Sequence, residues 1–373
     1  MLIKADPTLS RLNIGLFIIA FMAGIIFIPS CKQVSNKNPE HTPLLDSVLD
    51  KANSLVNSGQ TKRAEQYLDS VYRTIPNPGT IDLWRKYEHK VNFYLLYQRN
   101  VELASEYADS MIKILEDQSE IYPAEYAKSI FSRSEVLMEQ KRHTEAFNSY
   151  YQGKTFARQY LDSCNSYEFS YKLGLAKYRQ GKYLEAIPFL KQSYTEGGTC
   201  DKNDSFEKTF SARQRNLNNI ALCFERAGMP DSAVIYYEQA LAFIDANPVK
   251  NTSRQPFIEV AKGVILGNLG GAYAAINRDS LAEHCLLQSI KTKGRPQYDL
   301  PHAETAKIKL AKLYPKTGRS NQTEQLLNQL DTYLATPENN NSSVAEHIRL
   351  QYYQLKWKYY DELAQTAPAY HYS

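Results

Sequence analysis

The sequence predicts an all-α protein built from helices that pair as antiparallel hairpins. The first observation is a recurring spacing, in which a helix ends at a glycine and a second helix follows with a small and a large apolar residue four positions apart. The second is the low content of Gly and Pro, 16 of each in 373 residues, which disfavours an all-β fold with many turns. The third is the length, which suits two domains or a repeat array rather than one simple core.

Residues 172–190 (KLGLAKYRQGKYLEAIPFL) show the repeating unit most clearly. The Leu-Gly pair and Tyr178 lie on one face of a predicted first helix, and Gly181 predicts the end of that helix. Ala186 and Leu190 follow at i and i+4 on a predicted second helix. A small residue at Ala186 lets two helices approach closely, and Leu190 fills the space beside it, so the stretch predicts a helical hairpin that stacks on its neighbours.

The same signal recurs from one end of the chain to the other. The matching residues are Gly59 with Ala64 and Leu68, Ala104 with Ala108, Ala146 with Tyr150, Gly228 with Ala233 and Tyr237, Ala282 with Leu286, and Gly318 with Leu327. This pattern resembles the tetratricopeptide repeat (TPR), in which L-G-x2-Y and a glycine turn precede A-x3-F-x2-A. Its strongest copies are the stretch quoted above, IALCFERAGMPDSAVIYYEQA, LGGAYAAINRDSLAEHCL and LAKLYPKTG.

The resemblance covers residues 44–373 and implies a right-handed superhelical solenoid of helix hairpins with a concave face. It implies about seven repeats and a partial eighth. The steps between the key alanines, 40 residues from Ala64 to Ala104 and 49 from Ala233 to Ala282, exceed the roughly 34 residues of the standard repeat. Longer helices or loops must therefore absorb the difference.

Residues 1–31 are predicted to be a targeting segment rather than part of the fold. Lys4 and Arg11 precede an uncharged apolar run at 12–28, which is typical of a secretory signal. The following IPSC resembles a bacterial lipobox and implies lipidation of Cys31, whereas the length of the run also suits an uncleaved signal anchor, and simple secretion is the third alternative. All three place the rest of the chain outside the cytoplasm, in the cell envelope. Residues 32–43 are polar and predict a flexible tether.

Composition and motifs argue against several classes of function. The net charge is only +4 and no basic stripe occurs, so nucleic-acid binding is not expected. The sequence has no phosphate-binding glycine loop and no GxSxG. Its seven histidines form no ligand pair at helical spacing, so neither a metal nor a cofactor is expected. The sequence therefore predicts a non-enzymatic protein.

Two cysteines flank the fourth hairpin. Cys164 precedes its first helix and Cys200 follows its second, so an antiparallel hairpin brings both to the same open end. An oxidising compartment would allow them to form a disulfide, and the alternative is two free loop thiols. Cys223 and Cys285 lie within predicted helices and are interpreted as buried small hydrophobic residues.

The resemblance implies that the first helix of each hairpin lines the groove and supplies the ligand contacts. Aligning the repeats on their key alanines gives Tyr171, Tyr178, Arg215, Asn218, Asn219, Arg226, Asn268 and Lys309 as the groove residues. Asn219 and Asn268 occupy equivalent places in consecutive repeats, and an asparagine can both donate to and accept from a peptide backbone. Arg215 and Lys309 can bind a carboxylate. The alternative is that these are ordinary polar residues at helix contacts or facing water.

The C-terminal stretch QYYQLKWKYYDELAQTAPAYHYS is rich in aromatic residues. A truncated longer protein, self-association through this end, and packing of the half-repeat as its own cap are three explanations for it. The sequence as a whole predicts an envelope-anchored TPR scaffold that binds a protein or peptide through its concave face. The alternatives are a glycan-binding lipoprotein that partners an outer-membrane nutrient transporter, and the sensing half of a TPR signalling regulator.

Overall fold

The computed structural model describes residues 42, 44–249, 251–292, 301–336 and 343–363. Within these ranges the chain is helical, no strand occurs, and fifteen α-helices follow one another. They are α1 (Leu44–Asn57), α2 (Thr61–Thr74), α3 (Thr80–Asn92), α4 (Val101–Leu115), α5 (Pro123–Glu139), α6 (His143–Tyr160), α7 (Ser163–Arg179), α8 (Tyr183–Gly197), α9 (Ala212–Arg226), α10 (Pro230–Ala246), α11 (Gln255–Ala275), α12 (Asp279–Lys291), α13 (Pro301–Leu313), α14 (Ser320–Ala335) and α15 (Ser343–Glu362).

The helices stack as a solenoid of hairpins. Each odd-numbered helix pairs with the even-numbered helix that follows it, from α1 with α2 to α13 with α14, and α15 packs against α13 and α14. Contacts between alternate helices join odd-numbered members, such as α3 with α5 and α11 with α13. Helices on the inner side of a curved stack lie closest together, so the odd-numbered row forms the concave face. The all-α solenoid predicted from the sequence is confirmed.

One turn geometry joins the two helices of every hairpin. Each turn places one residue in the left-handed region, with φ between 54° and 77°, and the seven turn residues are Gly59, Arg99, Lys141, Gly181, Gly228, Asn277 and Gly318. After six of the seven, the next backbone N–H donates to the carbonyl five residues earlier, as from Lys182 N to Lys177 O at 3.1 Å, whereas Asn100 N, after Arg99, donates to Tyr94 O in the π-helical turn that follows α3. This is the Schellman arrangement that satisfies the last carbonyls of a helix.

The small residue of the repeat lies five positions after each turn residue and is fully buried. Ala64, Ala104, Ala146, Ala186, Ala233 and Ala282 occupy this place. In the seventh hairpin the place belongs to the buried Thr323, whose hydroxyl donates to Ala311 O at 3.3 Å. Glycines on the first helices complete the fit, because a Cβ on Gly270 would lie 2.7 Å from Leu286 Cγ. The two helices of a hairpin can therefore approach closely because the first carries a glycine and the second a small residue at their contact.

A buried ammonium links the first two hairpins. Lys90 on α3 is 1% exposed, and its Nζ donates to Asp69 Oδ2 at 2.7 Å and Glu65 Oε1 at 3.3 Å on α2. Burial alone would raise the pKa of Asp69, but the hydrogen bond and charge of Lys90, with Lys86, outweigh it and hold the pKa below its usual value. The Asp69 carboxylate thus stays ionised to a lower pH than an ordinary aspartate does.

Cys164 and Cys200 are joined by a disulfide at the open end of the fourth hairpin, with their Cα atoms 4.8 Å apart. The cross-link connects the first turn of α7 to the loop after α8. Of the two alternatives that the sequence left open, the structure has the disulfide and not two free loop thiols. Cys223 and Cys285 are free and buried, and burial raises the pKa of the Cys285 thiol to about 11.

The aromatic C-terminal helix is half covered by the array. Tyr352, Leu355 and Tyr359 are buried in a cluster with residues of α13 and α14, so they are not part of an open aromatic surface. Tyr353 and Trp357 remain 39% and 43% exposed. The aromatic surface that α15 exposes is therefore smaller than the sequence suggests. Self-association through this surface stays a prediction.

The predicted signal or anchor, with the lipidation site Cys31, and nearly all of the tether lie outside the described residues. None of the helices between residues 44 and 362 that the structure describes combines the length and apolar character needed to cross a bilayer.

Candidate functional site

Five side chains form a continuous chain of hydrogen bonds across four inner helices, from α7 through α9 and α11 to α13. Asn219 Nδ2 donates to Tyr171 Oη at 3.0 Å, and Asn218 Nδ2 donates to Asn219 Oδ1 at 3.4 Å. Asn268 Nδ2 donates to Asn218 Oδ1 at 3.4 Å. Lys309 Nζ closes the series on Asn268 Oδ1, also at 3.4 Å. We call this set the amide ladder.

The position of the amide ladder follows from the buried neighbours of its asparagines on α9 and from a glycine on α11. Asn218 and Asn219 lie on α9 beside the buried Leu217 and Ile220, so the core contacts of this helix direct the amides towards its partly exposed face. On α11, Gly271 has no side chain to obstruct Lys309, and a Cβ there would lie 3.0 Å from Nζ. The lysine crosses α11 in this slot and donates to Gly267 O at 2.9 Å.

Lys309 is the unusual charge of the ladder. Within the described ranges no carboxylate oxygen lies within 4.0 Å of its Nζ, which donates instead to a carbonyl oxygen and an amide oxygen. Burial lowers the pKa of Lys309, Glu225 partly offsets this shift, and Arg226 and Lys312 add to it. A partly desolvated ammonium without a carboxylate partner is a natural site for an anionic ligand group.

Arg215 lies at the α7 end of the ladder and is already engaged. Its guanidinium stacks on the Tyr171 ring at 4.5 Å, and Nη1 lies 3.1 Å from Glu207 Oε1. Glu207 belongs to a π-helical turn, residues 207–211, that leads into α9. The chain itself thus supplies a carboxylate to Arg215, so an acidic group of a ligand would compete with Glu207 for this guanidinium.

The two other groove residues predicted from the sequence lie apart from the ladder. Arg226 is exposed at the end of α9, close enough to Lys309 to lower its pKa. Tyr178 packs beside a core cluster near the turn of the fourth hairpin, edge-on to Tyr183 with the ring centroids 5.3 Å apart. The structure therefore brings together Arg215, Asn218, Asn219, Asn268 and Lys309, whereas Tyr178 supports the hairpin.

The ladder retains unused hydrogen-bonding capacity. An asparagine amide has two donor hydrogens and two lone pairs on its oxygen, and Asn219 and Asn268 each donate one hydrogen bond within the ladder. Three of the four hydrogen bonds within the ladder have a donor–acceptor distance of 3.4 Å. The usual distance for an N–H···O bond is about 2.9–3.0 Å. Such weak contacts between half-buried groups can be exchanged for shorter bonds to a ligand.

Sequence reasoning gave no role to Glu207. This residue lies in the connection between two repeats, where an alignment on repeat positions assigns nothing. The only signal in the sequence is the cluster of basic residues just after it, Lys208, Arg213 and Arg215, which favours an ion pair with a nearby carboxylate.

Comparison with known proteins supports the fold. No protein-family model matches the sequence, and no curated protein is significantly similar to it. Among solved structures, the apo form of RapI has a TM-score of 0.57 at 10% identity, covering 88% of this chain and 95% of that one. BtubC (BKLC) from P. vanneervenii has a TM-score of 0.51 at 15% identity, covering 67% and 91%.

The apo form of the quorum sensor NprR from B. thuringiensis is also similar, with a TM-score of 0.50 at 14% identity, covering 88% of this chain and 95% of that one. At these identities the likeness concerns the fold alone. Together with the repeated turns and buried alanines, it establishes a TPR-type helical solenoid.

Proposed function

We propose that the chain is a non-enzymatic, envelope-anchored scaffold whose concave face binds an extended peptide segment of a partner protein. The amide ladder is the observation that carries this proposal. It presents three asparagines and one ammonium along successive inner helices, and its contacts are long enough to be replaced. No substrate is transformed in this account, because the function is recognition by a preformed surface.

Backbone recognition follows from the chemistry of the ladder. An extended peptide presents a donor and an acceptor at every residue, and an asparagine can pair with both whatever the peptide side chains are. Asn219 and Asn268 lie in consecutive inner helices, so they contact peptide units some distance apart. Recognition at two points fixes the path of the segment across the groove.

Charge selects the kind of segment. Lys309 and Lys312 lie on α13 at one end of the ladder, with Arg226 of α9 close enough to lower the pKa of Lys309, and Arg215 lies at the other end beside Glu207. An acidic side chain or a free carboxylate on the ligand gains a charge-assisted bond from Lys309. We therefore propose that acidic peptides are preferred and that salt weakens their binding.

The envelope anchor is proposed from the sequence. The apolar run at 12–28 and the lipobox-like Cys31 support lipid attachment, and a Cys164–Cys200 disulfide suits an oxidising compartment. Replacing Cys31 with serine in the native cell is expected to move the protein from the lipid-labelled membrane fraction to an unlabelled form. Unchanged lipid labelling in this variant would contradict lipidation at Cys31.

Selection from a random peptide library on the full chain, followed by fluorescence anisotropy, tests the binding function. Asn219→Ala combined with Asn268→Ala removes two backbone contacts worth about 1 kcal/mol each. The expected loss of affinity is therefore about 30-fold. Asn148→Ala with Asn328→Ala is the matched control, because both residues are exposed on outer helices, and it should bind like the wild type.

Two outcomes oppose the proposal. Equal affinity of the concave double variant and the wild type would show that the asparagines are structural. Failure to enrich any peptide, with retention of an oligosaccharide by the same protein, would favour the glycan-binding alternative.

A further inference from the structure

Three potential metal-ligand atoms converge at the open end of the fourth hairpin, away from the amide ladder. Cys164 Sγ, Cys200 Sγ and one carboxylate oxygen of Asp204 all lie within 4.8 Å of one another. Cys164 is on the first turn of α7, whereas Cys200 and Asp204 belong to the loop after α8. All three residues are partly exposed, so reductants and ions can reach them from solvent.

The Asp204 carboxylate is oriented towards the sulfur atoms by its other contacts. Oδ2 lies 3.8 Å from Cys164 Sγ and accepts a hydrogen bond from Asp201 N at 2.9 Å. Oδ1 lies 3.7 Å from Lys208 Nζ, and that ammonium donates to Asn165 Oδ1 at 2.7 Å. Contacts of this kind hold a ligating carboxylate in place before an ion arrives.

We propose that reduction of the disulfide converts this cluster into a site for a thiophilic divalent cation of the zinc(II) class. A thiol reductant supplies two electrons, its own two sulfurs become a disulfide, and its two protons complete the Cys164 and Cys200 thiols. The cation then binds both sulfurs and the Asp204 carboxylate and displaces the two thiol protons. The oxidised protein has no thiolates and does not form the site.

Charge and space both fit such an ion. Two thiolates and one carboxylate carry three negative charges, which a divalent cation and the adjacent Lys208 neutralise. Zinc–sulfur bonds of about 2.3 Å in a tetrahedral site require the sulfurs to separate, and Cys200 lies in a loop outside the helices. A polar cavity of about 570 Å³ opens beside the cluster, which leaves room for water as the fourth ligand. The spacing of the histidines did not indicate this site, because its three ligands are two cysteines and an aspartate from separate segments of the chain.

The test uses the full chain in detergent, with Cys31→Ser in every sample so that this thiol does not compete. The protein is reduced with dithiothreitol, freed of reductant without oxygen, and titrated with Co²⁺ alone. We expect one equivalent to bind with near-ultraviolet sulfur-to-cobalt absorption, and one equivalent of Zn²⁺ to remove the band. The unreduced protein should show no band.

Variants separate this site from adventitious binding. Loss of an outer-shell partner of a metal ligand already costs about 10- to 100-fold in affinity, so Cys200→Ser, which removes a ligand, is expected to weaken Co²⁺ binding at least about 100-fold and Asp204→Asn at least about 10-fold. Cys223→Ala removes a free buried thiol and should change nothing. The proposal is overturned if the reduced wild type shows no band, or if Cys200→Ser or the unreduced protein binds Co²⁺ as well as the reduced wild type does.

Discussion

Replacing Gly181 with alanine isolates the energy of the turn that defines each hairpin. Gly181 has φ of 75°, and a Cβ built on it meets no atom within 4 Å, so the cost is conformational and not steric. A left-handed backbone costs an L-residue about 1–2 kcal/mol, and the lower flexibility of alanine in the unfolded chain returns about 0.5–1 kcal/mol. The expected net loss of stability is about 1 kcal/mol.

Lys141 provides the reverse experiment in the third hairpin. Its φ is 62° and its side chain is exposed, so Lys141→Gly should stabilise the α5–α6 hairpin by up to about 1 kcal/mol for the same reasons. Hydrogen exchange is the suitable assay, because a repeat array can open hairpin by hairpin. A loss of about 1 kcal/mol appears as roughly fivefold faster exchange of the protected amides of α7 and α8.

A matched control lies next to Gly181. Gln180 has φ of −82°, which any L-residue adopts, so Gln180→Ala should leave exchange in α7 and α8 unchanged. Exchange of Gly181→Ala at the wild-type rate, or destabilisation of the α5–α6 hairpin by Lys141→Gly as large as that caused by Gly181→Ala, would contradict a conformational cost at these turns.

Three further perturbations test the packing. Lys90→Met should lower the unfolding free energy in urea by about 2–3 kcal/mol, less than for a fully buried pair because Asp69 retains solvent access. Since the pKa of Asp69 lies below 3.8 in the folded state, this stability is present above that pH and disappears as the pH falls through the folded value. Reducing the disulfide, which spans 36 residues, should cost about 4 kcal/mol by calorimetry. Gly270→Ala forces Cβ against Leu286 and should cost about 1–3 kcal/mol in urea.

Each perturbation has a control of its own. Lys86→Met removes a more exposed lysine at 3.4 Å from Asp69 and should cost less than Lys90→Met. For the disulfide, equal transition temperatures with and without reductant would contradict the estimate. Gly271→Ala adds the same methyl group one residue further along α11, where it meets Lys309. It should therefore reduce the affinity for acidic peptides and have a smaller effect on the unfolding free energy. Equal destabilisation by both glycine variants would refute the distinction.

The hairpins could be predicted because they depend on residue volume. Ala186 and Leu190 identify a helix contact through size alone, and glycine at Gly181 identifies the turn. The turns at Arg99 and Lys141 were not predicted, because these residue types seldom adopt positive φ and only the surrounding hairpin imposes it. In the seventh hairpin, Gly318 and Leu327 identified the repeat, but Thr323 takes the place of its small alanine, and the hydrogen bond of its hydroxyl to Ala311 O could not be predicted from the local pattern.

The candidate site was predictable in its members and not in its connections. Equivalent places in neighbouring repeats identified Asn219 and Asn268, because a solenoid brings such places to one face. The bond from Asn268 to Asn218 crosses 50 residues, and its existence depends on the rotation between repeats. The ion pair of Arg215 with Glu207 depends on a π-helical turn between repeats. Tyr178 lies outside the ladder because it is near the C-terminal end of α7, where its ring packs against Tyr183.

Site-specific photo-crosslinking in the native cell envelope tests the concave-face account most directly. Benzoylphenylalanine replaces Val264, one turn before Asn268 on α11, or in a separate strain Asn328, which is exposed on the outer helix α14. The account predicts one protein adduct from Val264, lost when Asn219→Ala and Asn268→Ala are added, and no such adduct from Asn328. The same adduct from Asn328 alone, or its persistence in the double variant, would contradict it.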